Sequence, residues 1–162
     1  MKTLTDRALN LAQVQGATYA DIRVVERRTQ NIAVKNGVVE GLSDNLSQGF
    51  GVRVLVDGAW GFASSAVLDP MEVDRVTALA VKIARASALF KIHDVRLGPP
   101  VTHVGTYRTP FQIDPWDVSL EQKIDLLLRA NEGLRATPGV MVASSSLAFW
   151  REHKTFANSE GA

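Results

Sequence analysis

Residues 49–64 read GFGVRVLVDGAWGFAS, and this stretch decides the fold class. Apolar residues alternate along its first half, as they do along one face of an extended strand, at Val52, Val54 and Val56. Asp57-Gly58 supplies the two residues with positive φ that a tight hairpin requires. The returning strand carries Trp60 and Phe62 at alternate positions, which is typical of the inner face of a strand, with an exposed stacking platform as the alternative. The stretch therefore predicts an antiparallel hairpin.

The extended pattern continues upstream of this hairpin. Apolar residues alternate from Ile22 to Val34. Asn36-Gly37 is a second hairpin dipeptide, and residues 38–42 can return as its partner strand. Gly49 and Gly51 flank the start of the next strand, where glycine permits a bulge or a close backbone contact. Together these signals predict four strands in a meander.

Two segments before residue 91 have helical periodicity. The first starts near Leu4 and ends at Gly16, which supplies a left-handed stop. The second is a long helix that ends near Phe90. Its predicted N-cap is Asp69, followed by a proline at the first helical position and by Glu72 three residues after the cap.

The stretch 97–116 contains two glycines and four prolines, which predicts a linker rather than a long helix or a central strand. Ser119 and Gln122 then form a capping box for a third helix, and the chain is again extended from Val140. We therefore expect an α+β fold: a helix, an antiparallel β-meander, a long helix, and then a second helix-plus-strand unit. The expected division is a first module at 1–98, a Pro/Gly-rich linker at 99–118 and the start of a second, truncated module at 119–162.

The order of helix, extended segment and glycine turn occurs twice in the chain. An ungapped alignment of Arg23–Gly37 with Leu147–Gly161 places Asn36-Gly37 opposite Glu160-Gly161. We hypothesise that the module is duplicated. The second copy stops one residue past its turn, so its strand is expected to lack a partner, and the chain looks like the front part of a longer protein.

The composition excludes several classes of protein. The chain has no cysteine, which excludes disulfides, thiolate metal sites and a cysteine nucleophile, and favours a reducing compartment such as the cytoplasm. Its 18 basic and 17 acidic residues are interleaved and give a net charge of +1, which does not favour nucleic-acid binding. The amphipathic N-terminus predicts no signal peptide, and every apolar run is far shorter than the roughly 20 residues that a membrane span needs.

The histidines and glycines do not form a recognisable catalytic or cofactor site. His93, His103 and His153 lack the one-turn spacing of a helical zinc site, so we expect ordinary surface or hydrogen-bonded histidines. Gly49 and Gly51 lack the third glycine and the following helix of a dinucleotide-binding loop.

The serine and aspartate clusters are equally unpromising as catalysts. Ser64-Ser65 and Ser144–Ser146 lack the strand-turn-helix context of a hydrolase nucleophile and are expected at polar strand or cap positions. Asp114 and Asp117 precede a helix, where aspartates commonly serve a turn and a cap. We therefore assign no catalytic residue.

Residues 49–64 resemble the N-terminal region of the TldD/PmbA family, the so-called modulators of DNA gyrase. Further resemblance lies in Asn36-Gly37, in residues 107–123 and in Phe156–Gly161. The last two stretches look more like the TldD branch, which carries metal, than the PmbA branch. Together the four stretches span nearly the whole chain, from about Ala20 to Gly161.

The resemblance implies a zinc-dependent peptidase that admits unfolded or short peptides into a closed dimeric chamber. A peptide substrate and a second subunit, identical or different, would be its partners. In that family a His-Glu-x-x-x-His motif and a further ligand in the C-terminal half hold the metal. This sequence contains none of those residues, so no catalytic, metal or cofactor-binding residue is carried over, and the chain alone is expected to be inactive.

Two functions follow as hypotheses. The first is a non-catalytic scaffold of a TldD-like metallopeptidase and a part of its peptide channel, since an extended peptide can add to a sheet edge. Its predicted contact is the segment Asn158, Ser159, Glu160 and Gly161, for which an ordinary polar turn is the alternative. The second is a non-enzymatic adaptor that binds a protein partner such as DNA gyrase or a toxin–antitoxin component.

Overall fold

Four strands and three helices make up the fold in this computed structural model, which describes residues 2–100 and 102–162. In chain order they are α1 (Lys2–Val14), β1 (Tyr19–Lys35), β2 (Val38–Val56), β3 (Ala59–Ser65), α2 (Pro70–Ala88), α3 (Leu120–Arg135) and β4 (Ser144–Asn158). The strands form one sheet in the order β3-β2-β1-β4. The predicted α+β class with an antiparallel meander is confirmed. Met1, in the predicted first module, and Val101, in the predicted linker, lie outside the described residues.

Both predicted hairpin turns are present. Asn36 and Gly37 have φ of 50° and 81°, and Asp57 and Gly58 have φ of 50° and 72°. After the second turn, β2 and β3 pair antiparallel. Both dipeptides therefore adopt the positive φ values that reverse the chain in a tight hairpin.

The predicted break before Gly49 is wrong, because β2 runs unbroken from Val38 to Val56. Between the two predicted strands, residues 43–48 lack apolar alternation, and polar side-chain pairs join this part of β2 to β1. Arg28 and Gln30 both donate to the Asp44 carboxylate, and Asn31 donates to Ser43. The four strands predicted in this region are therefore three.

The last strand also differs from expectation, since β4 pairs with β1 instead of lacking a partner. The Asn36 N–H donates to the Ala143 carbonyl at one end, and the Ser159 N–H donates to the Ala20 carbonyl at the other. The two strands are therefore antiparallel. Among the described residues, Asn36 and Asp57 are the non-glycine residues with positive φ, so Glu160 does not repeat the turn conformation of Asn36.

The chain contacts define two compact units. The first comprises Met1–Glu26, Ser47–Thr106 and His153–Ala162, and the second comprises Arg27–Leu46 and Tyr107–Glu152. The described residues between Ala88 and Leu120 form no helix or strand. The expected division at 1–98, 99–118 and 119–162 stays a prediction.

Both predicted helix caps are confirmed. Asp69 accepts hydrogen bonds from the backbone N–H groups of Met71 and Glu72, at 2.9 and 3.0 Å. Ser119 and Gln122 form a reciprocal capping box at the start of α3. Each cap satisfies backbone donors that the helix itself leaves without a partner.

The core of the first unit lies between the inner face of the sheet and helices α1 and α2. Its fully buried side chains include Ile22 on β1 and Val52 and Val54 on β2. The helices contribute small residues and valines, among them Ala8, Ala12, Val73, Val76, Ala80 and Ala84. Small helical residues allow the helices to approach the sheet closely.

The closest of these approaches is at Gly61 on β3. A Cβ atom added there would lie 2.0 Å from the Ala80 carbonyl oxygen and 2.6 Å from the Ala84 nitrogen, both in the backbone of α2. The inward positions of β3 are therefore the small residues Ala59, Gly61 and Ala63. The prediction that Trp60 and Phe62 occupy the inner face is wrong, because α2 leaves no room for large side chains and both point outward.

The second unit has a smaller core. Ile32 and Val34 of β1 pack against Leu127 of α3. The fully buried Asn131 accepts from the Gly37 N–H and donates to the Ala143 carbonyl. This side chain ties the first hairpin turn to helix α3 and to the residue before β4.

We predict that Gly61→Ala destabilises the chain by about 3 kcal/mol or more, because the new methyl group would overlap backbone atoms that cannot move aside alone. The matched control is Gly41→Ala on β2, where an added Cβ meets nothing within 4 Å. That change should raise the free energy of unfolding by about 0.5 kcal/mol. Urea denaturation of both variants measures the difference, and equal effects would contradict the proposed packing at Gly61.

Candidate functional site

The outward side of the sheet in the first unit is chemically unlike its inner side. Side chains from three neighbouring strands meet there, and we call this surface the outer face: Tyr19, Asp21 and Arg23 of β1, Arg53 of β2, and Trp60 and Phe62 of β3. Along a strand, alternate residues share a face, so the inward Ile22 and Val52 fix the outward direction of their neighbours.

An ion pair between Asp21 and Arg53 lies at the centre of the outer face. The Arg53 Nε donates to Asp21 Oδ2 at 2.8 Å, and its Nη2 lies 2.6 Å from the same oxygen. Asp21 is 1% exposed, whereas the Arg53 side chain is 39% exposed. The pair is therefore buried on its anionic side and open to water on its cationic side.

Aromatic rings support this ion pair. The Arg53 guanidinium lies 4.6 Å from the ring centroid of Trp60, and the Tyr19 ring meets Trp60 edge-on at 5.8 Å. A guanidinium over an aromatic face is attracted by the ring quadrupole. Arg53 is thus fixed from below by a carboxylate and from the side by an indole.

The pKa values of two groups reflect this environment. Burial raises the pKa of the Tyr19 hydroxyl, and the charge of Asp21 raises it further. Burial lowers the pKa of the Arg53 guanidinium, but the hydrogen bond and charge of Asp21, together with Tyr19, more than offset this and leave it above its ordinary value. Tyr19 therefore stays neutral and Arg53 stays charged at ordinary pH.

A shallow groove of about 270 Å³ runs beside the ion pair. Its lining includes Asp21, Arg23, Val25, Gly51 and Phe62. A Cβ atom on Gly51 would lie 2.8 Å from Cε2 of Phe62, so the aromatic ring lies directly on bare backbone. The predicted position of the glycine pair at a strand start is wrong, because both glycines lie inside β2. A Cβ atom on Gly49 would lie 3.0 Å from the Ser65 carbonyl oxygen, so that glycine does lie close to neighbouring backbone.

A second polar cluster lies in the second unit, around the 5% exposed Lys123 of α3. Its ammonium group donates to Gln30 Oε1 at 3.0 Å and lies 4.6 Å from the ring centroid of Phe149 and 5.8 Å from that of Trp116. Arg28 covers Trp116 at 4.3 Å. The Lys123 ammonium group is therefore bound by groups of its own cluster. The cluster forms a polar part of the core of this unit.

The predicted peptide contact lies in a turn that follows β4. Asn158 Oδ1 accepts from the backbone N–H groups of Glu160 and Ala162, and the Ser159 hydroxyl accepts from the Ala20 N–H. Thr102 donates to the Glu160 carbonyl. The four predicted residues are therefore brought together, and many of their polar groups already have partners within the chain.

The remaining candidates stand apart from one another. His93, His103 and His153 are all exposed, and the described residues contain no group of three or more His, Cys, Asp or Glu side chains that could hold a metal ion. Asp114 accepts from the Trp116 N–H, as predicted for a turn residue, and it also pairs with Arg151.

The serines lie at strand and turn positions. Ser145 donates to the Leu127 carbonyl from within β4, and Ser65, the last residue of β3, accepts from the Val67 N–H. These bonds match the expected structural roles.

Sequence reasoning missed the outer face. A usable signal existed in β1, where polar residues Asp21 and Arg23 alternate with apolar residues and so must share a face. The partnership of Asp21 with Arg53, 32 residues further along the chain, depends on strand register, which the sequence pattern does not specify.

Comparison with protein-family models gives two matches. The model of PmbA/TldA metallopeptidase domain 1 matches residues 20–84, and that of the PmbA/TldA metallopeptidase central domain matches residues 113–162. The matched segments include most of β1 to α2 and all of α3 and β4.

Two archaeal metalloproteases are related in sequence. The chain is 28% identical over 124 residues to a metalloprotease of Methanocaldococcus jannaschii, which covers 74% of this chain and 28% of that protein. It is 34% identical over 109 residues to a metalloprotease of Archaeoglobus fulgidus, covering 67% of this chain and 23% of that protein. The chain thus spans less than a third of the length of these relatives.

Solved structures show the same fold. TldE from Thermococcus kodakarensis aligns with a TM-score of 0.74 at 18% identity, over 98% of this chain and 35% of that one. A candidate modulator of DNA gyrase from Bacteroides thetaiotaomicron aligns with a TM-score of 0.80 at 17% identity, over 99% and 37%.

We predict that Arg53→Met lowers the free energy of unfolding by about 2–3 kcal/mol, because it leaves the buried Asp21 carboxylate without its main partner. Asp21→Asn should cost only about 1 kcal/mol, since the partly exposed Arg53 can turn to water. Arg23→Met is the control and should cost less than about 0.5 kcal/mol. Urea denaturation measures all three, and a larger cost for Asp21→Asn than for Arg53→Met would contradict this account of the pair.

Proposed function

This chain belongs to the PmbA/TldD family of metallopeptidases, and we propose that it supplies a non-catalytic framework within such an enzyme. In this proposal it forms a scaffold, part of the wall between two subunits and part of the channel that admits peptides. The observation that carries the proposal is that domain 1 and the central domain together account for most of the chain.

The residues that the structure describes do not fit a metal site. The three histidines are exposed and 10 or more residues apart, and the described residues offer no cluster of metal-ligating side chains. The family name implies a metal for the whole enzyme, and we propose zinc held by residues outside this chain. The framework would then act by holding and orienting peptides.

The free edge of β4 is the proposed peptide contact. In the order β3-β2-β1-β4 this strand pairs with β1 on one side, and the described residues provide no strand on the other. An exposed row of backbone donors and acceptors can bind an extended peptide with little regard for its sequence. We propose that the contact extends along β4 to the turn formed by Asn158, Ser159, Glu160 and Gly161.

Three finer assignments are proposals of the same kind. The likeness of residues 107–123 and Phe156–Gly161 to the TldD branch supports membership of that branch. The resemblance to the family implies a second subunit, either identical or related. The lack of cysteine favours a cytoplasmic location. None of the helices within residues 2–100 and 102–162 is both long and apolar enough to cross a membrane.

A labelled unstructured octapeptide tests the proposed contact by fluorescence anisotropy. We expect three scrambled sequences of one composition to bind this chain within about threefold of each other, because main-chain groups carry the contact. Methylation of the peptide nitrogens should weaken binding at least tenfold, since it removes the donors. Ala148→Pro, which removes a donor from the middle of β4, should weaken binding similarly, whereas the control Ala148→Val should not.

Three kinds of result would contradict the proposed framework. Equal binding of the methylated and unmethylated peptides would rule out main-chain recognition. Tight stoichiometric zinc binding or chelator-sensitive peptide cleavage by this chain alone would place the reactive residues within it. If the chain instead bound folded DNA gyrase and no peptide, the adaptor function would replace the framework function.

A further inference from the structure

The groove on the outer face contains a cation that the fold uses only weakly. The Arg23 side chain is 51% exposed, and its Nη2 lies 4.0 Å from Asp21 Oδ1, beyond hydrogen-bond length. Asp21 is instead bonded by Arg53. In the part of the chain that the structure describes, Arg23 donates no hydrogen bond, and its guanidinium lies over the Phe156 ring at 5.3 Å. Its donors are therefore available to a ligand.

Apart from the Asp21–Arg53 ion pair and Ser64, the rest of the groove lining is apolar. Gly51 provides a floor of bare backbone, and Phe62, 57% exposed, and Val25 provide hydrocarbon walls. Gly51 allows this shape, because a Cβ atom there would lie 2.8 Å from Cε2 of the Phe62 ring and would displace that ring from its present position. An exposed phenylalanine beside an exposed guanidinium offers a ligand both an apolar contact and a positive charge.

The charge of the groove selects the sign of its occupant. Asp21 is neutralised by Arg53 through two close contacts, so Arg23 leaves one net positive charge. A small inorganic anion would satisfy the charge but leave Phe62 uncovered. An apolar carboxylate satisfies both, because a carboxylate accepts two hydrogen bonds from a guanidinium while its hydrocarbon part covers the ring.

The size of the groove limits that occupant to about one residue. Its volume of about 270 Å³ is slightly below the range of roughly 300–1,000 Å³ for pockets that hold whole drug-sized ligands. A groove of this volume can hold one amino-acid side chain with its carboxylate, and the remainder of a longer molecule would extend into solvent.

We propose that this groove binds the C-terminal residue of a peptide that ends in an apolar side chain. The terminal carboxylate accepts from Arg23, and the side chain packs on Phe62 and Val25 above Gly51. The identity of the occupant as a peptide rests on the proposed function. The groove adds a preference for one chain end, which main-chain pairing along β4 does not provide.

Isothermal titration calorimetry with matched peptides tests this inference on the 162-residue chain. The probes are acetyl-Ala-Ala-Leu as the free acid, the same peptide as its C-terminal amide, and acetyl-Ala-Ala-Gly as the free acid. We expect the leucine acid to bind at least tenfold more tightly than its amide, and at least fivefold more tightly than the glycine acid.

Side-chain variants locate the two contributions. Arg23→Gln should make the leucine acid and its amide bind equally, whereas the control Arg75→Gln, at an exposed arginine on α2, should keep the tenfold preference. Phe62→Ala should remove the preference for leucine over glycine and keep the preference for acid over amide. Thermal unfolding of each variant verifies that the fold is retained.

Several results would overturn the inference. These are equal affinity for acid and amide, a preference that survives Arg23→Gln, equal affinity for leucine and glycine ends, or no binding of any probe up to millimolar concentration. N-acetyl-leucine is a further arm: if it bound more tightly than the peptide, the groove would serve free apolar acids. If this chain bound the free acid and the amide equally, but bound the N-methylated octapeptide more weakly than the unmethylated one, this inference would fail and the proposed function would stand.

Discussion

The backbone contact between Gly61 and helix α2 determines which way every side chain of β3 points. An added Cβ would lie 2.0 Å from the Ala80 carbonyl oxygen, so the helix accepts only the smallest residue at this position. Since side chains alternate across a strand, the same contact places Trp60 and Phe62 on the opposite side. Arg53 pairs with Phe62, and Leu55 pairs with Trp60. Because paired residues share a face of the sheet, Arg53 and Leu55 of β2 also point outward.

The contacts on the outer face depend on this outward direction of Trp60 and Phe62. Trp60 supports Arg53, which in turn neutralises the buried Asp21. Phe62 lies on Gly51 and forms a wall of the groove. A shift of β3 by one residue would bury these rings and remove both the support of the ion pair and the groove, since one step of register exchanges the two faces of a strand. The small residues on one side of β3 are therefore a condition for the ion-pair support and the groove on the other.

Local sequence signals predicted the turns and the helix ends well. Asn36-Gly37 and Asp57-Gly58 specify hairpins through their tolerance of positive φ, and the caps at Asp69 and Ser119 satisfy backbone donors within a few residues. These features depend on neighbours in the chain, so composition and spacing are enough to identify them.

Features that depend on distant partners were not predictable in this way. The continuity of β2 rests on polar pairs such as Arg28 with Asp44, and apolar periodicity does not record them. The inward choice of Gly61 over its aromatic neighbours is set by Ala80 and Ala84 of α2, which lie 19 and 23 residues later in the chain. The site residues Asp21 and Arg53 met for the same reason, through strand register, and so only the turn at Asn158–Gly161 was identified beforehand as a candidate contact.

The direction of the β3 side chains can be measured directly by nuclear Overhauser effects in the folded chain. The account predicts contacts between the Phe62 ring protons and the Gly51 Hα protons, and between the Gly61 Hα protons and the Ala84 methyl group. Contacts between the Phe62 ring and the Ala84 methyl group, with none to Gly51, would show that the aromatic side faces α2 and would contradict the account.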